Sequence, residues 1–470
     1  MDVNSCIIRG GDVVCPDRVL KGHDVVVRDG RIEAVVPTES AELDLQPDAA
    51  CGALPVIDAR GALVTPGLVD IHSDYVENVA SPRPSVIMDL ASSLYKADRE
   101  LVSHGITTIY HSLSVYGETI FDHKPIRSFS NVSALVDQVA AMRAGEERDH
   151  LIRHRLHLRV ELDAVRLLDE VTAYVDAGKV DLLSFMDHTP GQGQYADLAL
   201  FADTIRGYRE ATDEEVRDIV ARQQQAPKLT AAQVVRLARL AGARGISVAS
   251  HDDDSVGKVE AMSGAGARIS EFPITLEVAR AARALGMRTL AGAPNVLMGH
   301  SHSGNLSARE AIDAGGIDVL CSDYYPAALL DAVFVLRDVC GMDLAAAFAL
   351  VTANPAQAAG IGAELGSIEA GKRADVLVVR EIACGAAGRT MPVVTRAFVG
   401  GHSVYRSHYP DQPSGYGRDT REAHARAGAA QAEAAPAARA VPAAEAAQAA
   451  AGPAAEAAPA AAGSLVAKAV

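Results

Sequence analysis

Between about residues 66 and 366 one alternation recurs eight times: a short apolar run, then a stretch with helical spacing. The runs fall at 68–72, 106–110, 156–161, 182–187, 246–250, 267–271, 288–292 and 317–321. Stretches such as Ala231–Ala243, with apolar Val234, Val235, Leu237, Leu240 and Ala241, have the length that a crossover between parallel strands needs. Eight such units predict an α/β fold, a (β/α)8 TIM-type barrel over residues 65–365, whose active site gathers at the carboxyl ends of the strands. A doubly wound open sheet competes, but no GxGxxG follows any run.

Both flanks of this region read as β structure. Segments 6–9, 12–14, 25–28 and 32–36 precede it, the last two around the turn dipeptide Asp29-Gly30. Segments 375–379, 395–399 and 403–405 follow it. Edge strands seek partners, so a small composite β-sandwich from residues 1–64 and 366–408 is the economical reading. From residue 417 the sequence turns Ala-rich, broken by Pro436, Pro442, Pro453 and Pro459 and nearly devoid of large apolar side chains. Residues 417–470 are therefore expected to be a disordered tail without chemistry.

Charge narrows the function. With 44 Lys+Arg against 60 Asp+Glu the formal charge is −16, which repels polyanions at long range and argues against nucleic-acid binding. Any anionic substrate then needs a local cluster of cations. No uncharged apolar stretch reaches the roughly 18 residues of a membrane span. Charges such as Arg9, Asp12, Arg18 and Lys21 interrupt the first thirty residues where a signal peptide needs an apolar run, so a cytoplasmic location is expected. The 6 cysteines lie far apart without a CxxC pair and read as reduced thiols.

Polar residues of ligand type cluster at the strand ends: His72 and Asp74 after the first, Glu161 after the third, His188 after the fourth, His251 after the fifth and Asp323 after the eighth. A lone His or Asp there is usually a cap or a solvated residue. Six on one rim can surround a divalent metal while leaving a position for water. One or two ions are expected, zinc first and manganese or iron as alternatives, with Glu161 able to bridge a pair. Such an ion lowers the pKa of water from about 15.7 to about 7, and Asp323 is the candidate catalytic carboxylate that accepts its proton. In the run His251-Asp252-Asp253-Asp254 the last two aspartates are read as capping the next helix. Arg83, in the stiff loop Ser81-Pro82-Arg83-Pro84, is the leading anion contact. Arg155 and Arg159 also flank the third strand; Arg155 and His157 are read as facing the outer helices. The loop 300–305 supplies His302 and Asn305 as substrate-binding candidates, and His111 is read as the end of the second strand.

These motifs resemble the amidohydrolase superfamily, through residues 65–72 (TPGLVDIH) followed by a polar pair, Gly371-Lys372-Arg373-Ala374-Asp375, and the composite β-domain. Within it, seven stretches resemble the diphosphatases of the carbon-phosphorus lyase pathway: His72-Ser73-Asp74, Ser81 to Pro84, His154 to Arg159, Met186 to Gln192, Ala249 to Asp253, Gly292 to Asn295 with Ser301 to Asn305, and Ser322 to Pro326. The resemblance spans residues 5 to 405. It implies metal-dependent hydrolysis of a small molecule, α-D-ribose 1-methylphosphonate 5-triphosphate, to the 5-phosphate and pyrophosphate in phosphonate catabolism. The rival within the superfamily is hydrolysis of an amide or cyclic amide, and the rival from another class is a catalytically silent binding barrel, against which the retained ligand set speaks. Assembly into a homo-oligomer is left open.

Overall fold

Alternating apolar residues at the start of the chain make an antiparallel meander of β1 (Cys6–Val14), β2 (Val19–Arg28) and β3 (Arg31–Pro37). Asp29 (φ 47°) and Gly30 (φ 77°) turn between the last two in the left-handed region that such hairpins require. Two strands that the sequence pattern did not reveal, β4 (Val56–Asp58) and β5 (Leu63–Pro66), pair with β1 in parallel. The computed structural model describes residues 4–39, 54–83, 86–117, 124–145, 149–195, 197–208, 211–301, 306–384 and 389–409. The Ala-rich tail, His302 and Asn305 lie outside the described residues.

Only Gly67 separates β5 from the barrel. A Cβ at this position would come within 2.1 Å of Thr107 Oγ1, so the close approach excludes any larger residue. Eight parallel strands follow: β6 (Leu68–Ser73), β7 (Ile106–Val115), β8 (Arg153–Glu161), β9 (Leu182–Met186), β10 (Ser247–His251), β11 (Ile269–Glu271), β12 (Arg288–Gly292) and β13 (Val319–Cys321). They pair in sequence order. The ring nears closure just beyond β13, where Asp323 N donates to His72 O (3.1 Å) and Asp74 N donates to Asp323 O (2.9 Å). Val69, Ile71, Tyr110, Leu182, Ile269, Leu290 and Val319 fill the interior.

The crossover helices are placed by their own sequences. Ala231–Ala243 begins at Thr230, which exchanges capping bonds with Gln233, and buries Val234, Leu237, Ala238 and Ala241 against the barrel. On β8, Leu156, Leu158 and Val160 pack outward against a cluster that includes Val132, Leu135, Val136 and Val139 of the helix Phe129–Ala144. That strand runs without a register shift, so residues 155, 157, 159 and 161 share the opposite face. Arg155 therefore points inward, and so does His157, correcting the outward reading of both. The ring centroid of His157 lies 5.0 Å from that of His72, and its Nε2 bonds Ser184 Oγ at 2.8 Å. His111 is corrected too. It sits in the middle of β7, where its Nε2 meets His154 Nδ1 (2.8 Å) and His154 Nε2 meets Asp98 Oδ1 (3.0 Å) on the helix Leu90–Ser103.

After the barrel come β14 (Val376–Cys384), β15 (Arg389–Val399) and β16 (His402–Arg406). Antiparallel pairing of β14 with β5 joins both flanks in one mixed sheet, ordered β16-β15-β14-β5-β1-β2-β3 with β4 also on β1. Ile8, Val13, Val25 and Val27 from one arm pack with Val376, Val378 and Phe398 from the other, and this makes the sandwich core. The sheet attaches where β6 begins, so the far end of the barrel stays open.

Candidate active site

At that open end lies a cavity of about 260 Å³ whose lining includes His72, Asp74, His188, His251 and Asp323. Five of the six residues expected as ligands thus face one space. The sixth, Glu161, stands behind His188: its Oε1 accepts from His188 N (2.6 Å) and its Oε2 lies 2.7 Å from His188 Nδ1. His72 lies near the end of β6, and Asp74 stands just past it at the start of the helix Tyr75–Ala80.

The tightest donor clusters include two residues outside the expected set. Ligand atoms of His72, His251 and Glu271 lie within 4.8 Å of one another, and so do those of His188, His251 and Asp252. His251 belongs to both. Glu271, fully buried at the end of β11, has Oε1 at 3.0 Å from His72 Nδ1. Asp252 Oδ2 lies 3.0 Å from His251 Nδ1 and 3.3 Å from His188 Nε2. The strand-end pattern carried the signal for Glu271, since residue 271 closes the sixth apolar run. For Asp252 the only signal was its place in an acidic run.

Backbone strain concentrates on the same rim. Among the described residues four non-glycine residues have positive φ, and three follow barrel strands: Asp252 (49°), Phe272 (51°) and Asp323 (58°). Such conformations persist only when the surroundings hold them. Lys258 Nζ does so for the first, donating to the carbonyls of His251 (2.8 Å) and Asp252 (3.1 Å). The capping role expected of Asp253 and Asp254 falls instead to Ser255, whose Oγ accepts from Lys258 N. Asp253 is buried and accepts from the Ser250 and Ser270 hydroxyls, and Asp254 accepts from Gly193 N at 3.1 Å.

Electrostatics mark the site as built around positive charge. Burial, reinforced by the Asp74 carboxylate, pushes Asp323 up to about 7. Asp74 is raised by burial and by Glu77, while Arg127 opposes the shift. Burial also drives His72 well below the usual histidine value, helped by Arg159. At His188 burial is outweighed by Glu161 and Asp252, and the value rises to about 10. Asp74 Oδ1 and Glu271 Oε2 are buried without a hydrogen-bond partner, and Asp252 Oδ2 has only the nitrogens of His188 and His251 beside it. Buried lone pairs in this state need a cation. Imidazole nitrogens beside carboxylate oxygens are a donor set that fits zinc or another divalent transition metal.

Two arginines share the cavity. Arg127 Nε donates to Glu77 Oε2 (2.7 Å) and its Nη2 to Asp74 Oδ2 (3.3 Å), so it holds a pair of carboxylates. Arg159 projects from β8 beside His251. Arg155 meets Asp181 at 3.9 Å. Arg83 stands exposed on the loop after the helix Tyr75–Ala80 and is not among the residues lining the cavity. Bonds from Ser81 Oγ and Val86 N to the Arg83 carbonyl shape that loop.

Residues 63–404 match the amidohydrolase family. The chain belongs to the amidohydrolase family. This amidohydrolase is 34% identical over 375 residues to the α-D-ribose 1-methylphosphonate 5-triphosphate diphosphatase of Escherichia coli, covering 79% of this chain and 94% of that protein. It is 26% identical over 402 residues to an imidazolonepropionase of Symbiobacterium thermophilum, covering 79% of this chain and 87% of the relative. Among solved structures, dihydropyrimidinase from Brevibacillus agri superposes with a TM-score of 0.55 at 14% identity, over 86% of this chain and 95% of the other, which bears on the fold alone. No described helix of the amidohydrolase is long and apolar enough to cross a membrane.

Proposed function

We propose that this amidohydrolase hydrolyses α-D-ribose 1-methylphosphonate 5-triphosphate to the 5-phosphate and pyrophosphate. The observation that carries the reading is the 34% identity to the Escherichia coli diphosphatase, which extends over 94% of that enzyme. His72, Asp74, Glu161, His188, His251 and Asp323 are the residues proposed to hold one or two divalent ions, zinc first, with Glu271 and Asp252 joining or orienting them. A bound divalent ion supplies Lewis acidity and makes a water acidic enough to ionise near neutral pH.

The remaining chemistry belongs to the chain. Asp323, raised toward neutrality, is placed to take the proton from the attacking water. The new bond joins that water's oxygen to the α-phosphorus; the bond from α-phosphorus to the bridging oxygen breaks, and pyrophosphate departs with the electron pair. Arg127 keeps Asp74 and Glu77 fixed at the cavity wall while this happens. A second reading, cleavage of a cyclic amide, rests on the 26% identity to imidazolonepropionase. The metal-loaded protein should be assayed against the phosphonoribose triphosphate, a nucleoside triphosphate, imidazolonepropionate and a dihydropyrimidine. Turnover confined to the amides would overturn the first reading in favour of the second.

A further inference from the structure

We infer that Arg159 is the side chain that recognises the anionic substrate and sets the preference for a phosphoanhydride over an amide; this inference rests on the triphosphatase reading. Arg159 is 8% exposed and lines the catalytic cavity. Its Nε donates to Met186 Sδ (3.1 Å) and its Nη2 to His251 Nε2 (3.2 Å), a thioether and an imidazole, neither of which carries negative charge to match it. Among the described residues no carboxylate oxygen lies within 4.0 Å of its guanidinium. The other deeply placed arginines differ: Arg127 pairs with Asp74 and Glu77, and Arg153 with Asp375.

An arginine cannot shed its proton to escape burial. Asp74 and Asp323 face this guanidinium only at longer range and neither bonds it, so its hydrogen-bonding fork is left for an anion that arrives from the cavity. Its planar fork matches two phosphoryl oxygens. A neutral amide would leave it unpaired, which is how one charge separates the two substrate classes. Strand parity gives it this position, because Arg159 shares the inner face of β8 with Glu161. It stands two residues from one proposed ligand and in contact with another.

The test compares wild type, Arg159→Gln and Arg159→Lys at equal, measured metal content. For the triphosphate, Arg159→Gln should raise KM roughly 30-fold or more, and Arg159→Lys should recover part of that loss. Calorimetry with inorganic pyrophosphate should show binding to wild type and none to Arg159→Gln. Unchanged KM and pyrophosphate affinity would overturn the inference, as would loss of metal with no change in KM for the protein that retains it, which is the behaviour of a spacer for His251. If Arg159→Gln does not fold, phenylglyoxal labelling of wild type decides: protection of Arg159 by pyrophosphate supports the assignment, and labelling unaffected by pyrophosphate refutes it. Wild-type turnover confined to amides defeats the triphosphatase reading separately, whereas the pyrophosphate measurements address Arg159 itself.

Discussion

Asp252 and Glu271 carry the sharpest consequences at the level of single residues. Each puts a buried carboxylate oxygen beside histidines that face the cavity. Glu271→Gln and Asp252→Asn should each weaken metal affinity by roughly 10- to 100-fold. Metal analysis after dialysis against a graded chelator checks this, and full retention in both variants would remove these carboxylates from the metal site. Asp323→Asn is expected to behave differently, lowering kcat roughly 10²- to 10⁴-fold while KM changes little, provided the variants are compared at equal metal content. Near wild-type kcat would move the proton acceptor to Glu161 or His251. His72, Asp74, His188, His251 and Asp323 were legible as a group because the strand-end rule brings each to one rim. The same rule reached Glu271 in the sequence but was not extended to it, and Asp252 was hidden because its left-handed backbone follows from packing under Lys258, which no local pattern announces.

At the scale of elements the barrel strands were readable and their faces were only half readable. All eight apolar runs became strands in chain order, since each is short, apolar and followed by a crossover helix. The faces of β8 differ from the sequence reading: Glu161, read as inward, and Arg155 and His157, read as outward, lie two to six residues apart on one face of one strand. Period-two alternation forbids that division unless a bulge intervenes, and β8 has none. β7 ran longer than its apolar core suggested, which turned His111 from a strand-end residue into an outward one bonded through His154 to Asp98. β4 and β5 escaped notice because, unlike the equally short β11 and β13, neither is followed by a crossover helix. The outward leucines of β8 give a test of this packing. Leu158 is fully buried between strand and helix, so Leu158→Ala should cost about 2 to 5 kcal/mol in chemical denaturation, the range for a core cavity. A loss below about 1 kcal/mol would mean that the strand–helix layer is looser than described.

For the molecule as a whole, the sheet built from both flanks closes one side and leaves the catalytic rim open at the other, and the metal is expected to tie that rim together. The carboxylates raised by burial, Asp74 with Glu77 adding to the shift and Asp323 with Asp74 adding to it, destabilise the fold until a cation sits among them. Chelation should therefore abolish turnover and lower the melting temperature together, and restored zinc at 100 times its dissociation constant should return about 2.7 kcal/mol of stability. A chelated protein with unchanged melting temperature would show that the rim holds itself. The overall charge of −16 gives no attraction for a triphosphate, so affinity must come from the few cavity cations and the bound metal. The reaction is tested most directly by incubating the metal-loaded protein with α-D-ribose 1-methylphosphonate 5-triphosphate in ¹⁸O-water and following products by ³¹P NMR. Attack at the α-phosphorus predicts equimolar pyrophosphate and 5-phosphate, with the label in the 5-phosphate; release of orthophosphate, or label in pyrophosphate, would contradict it.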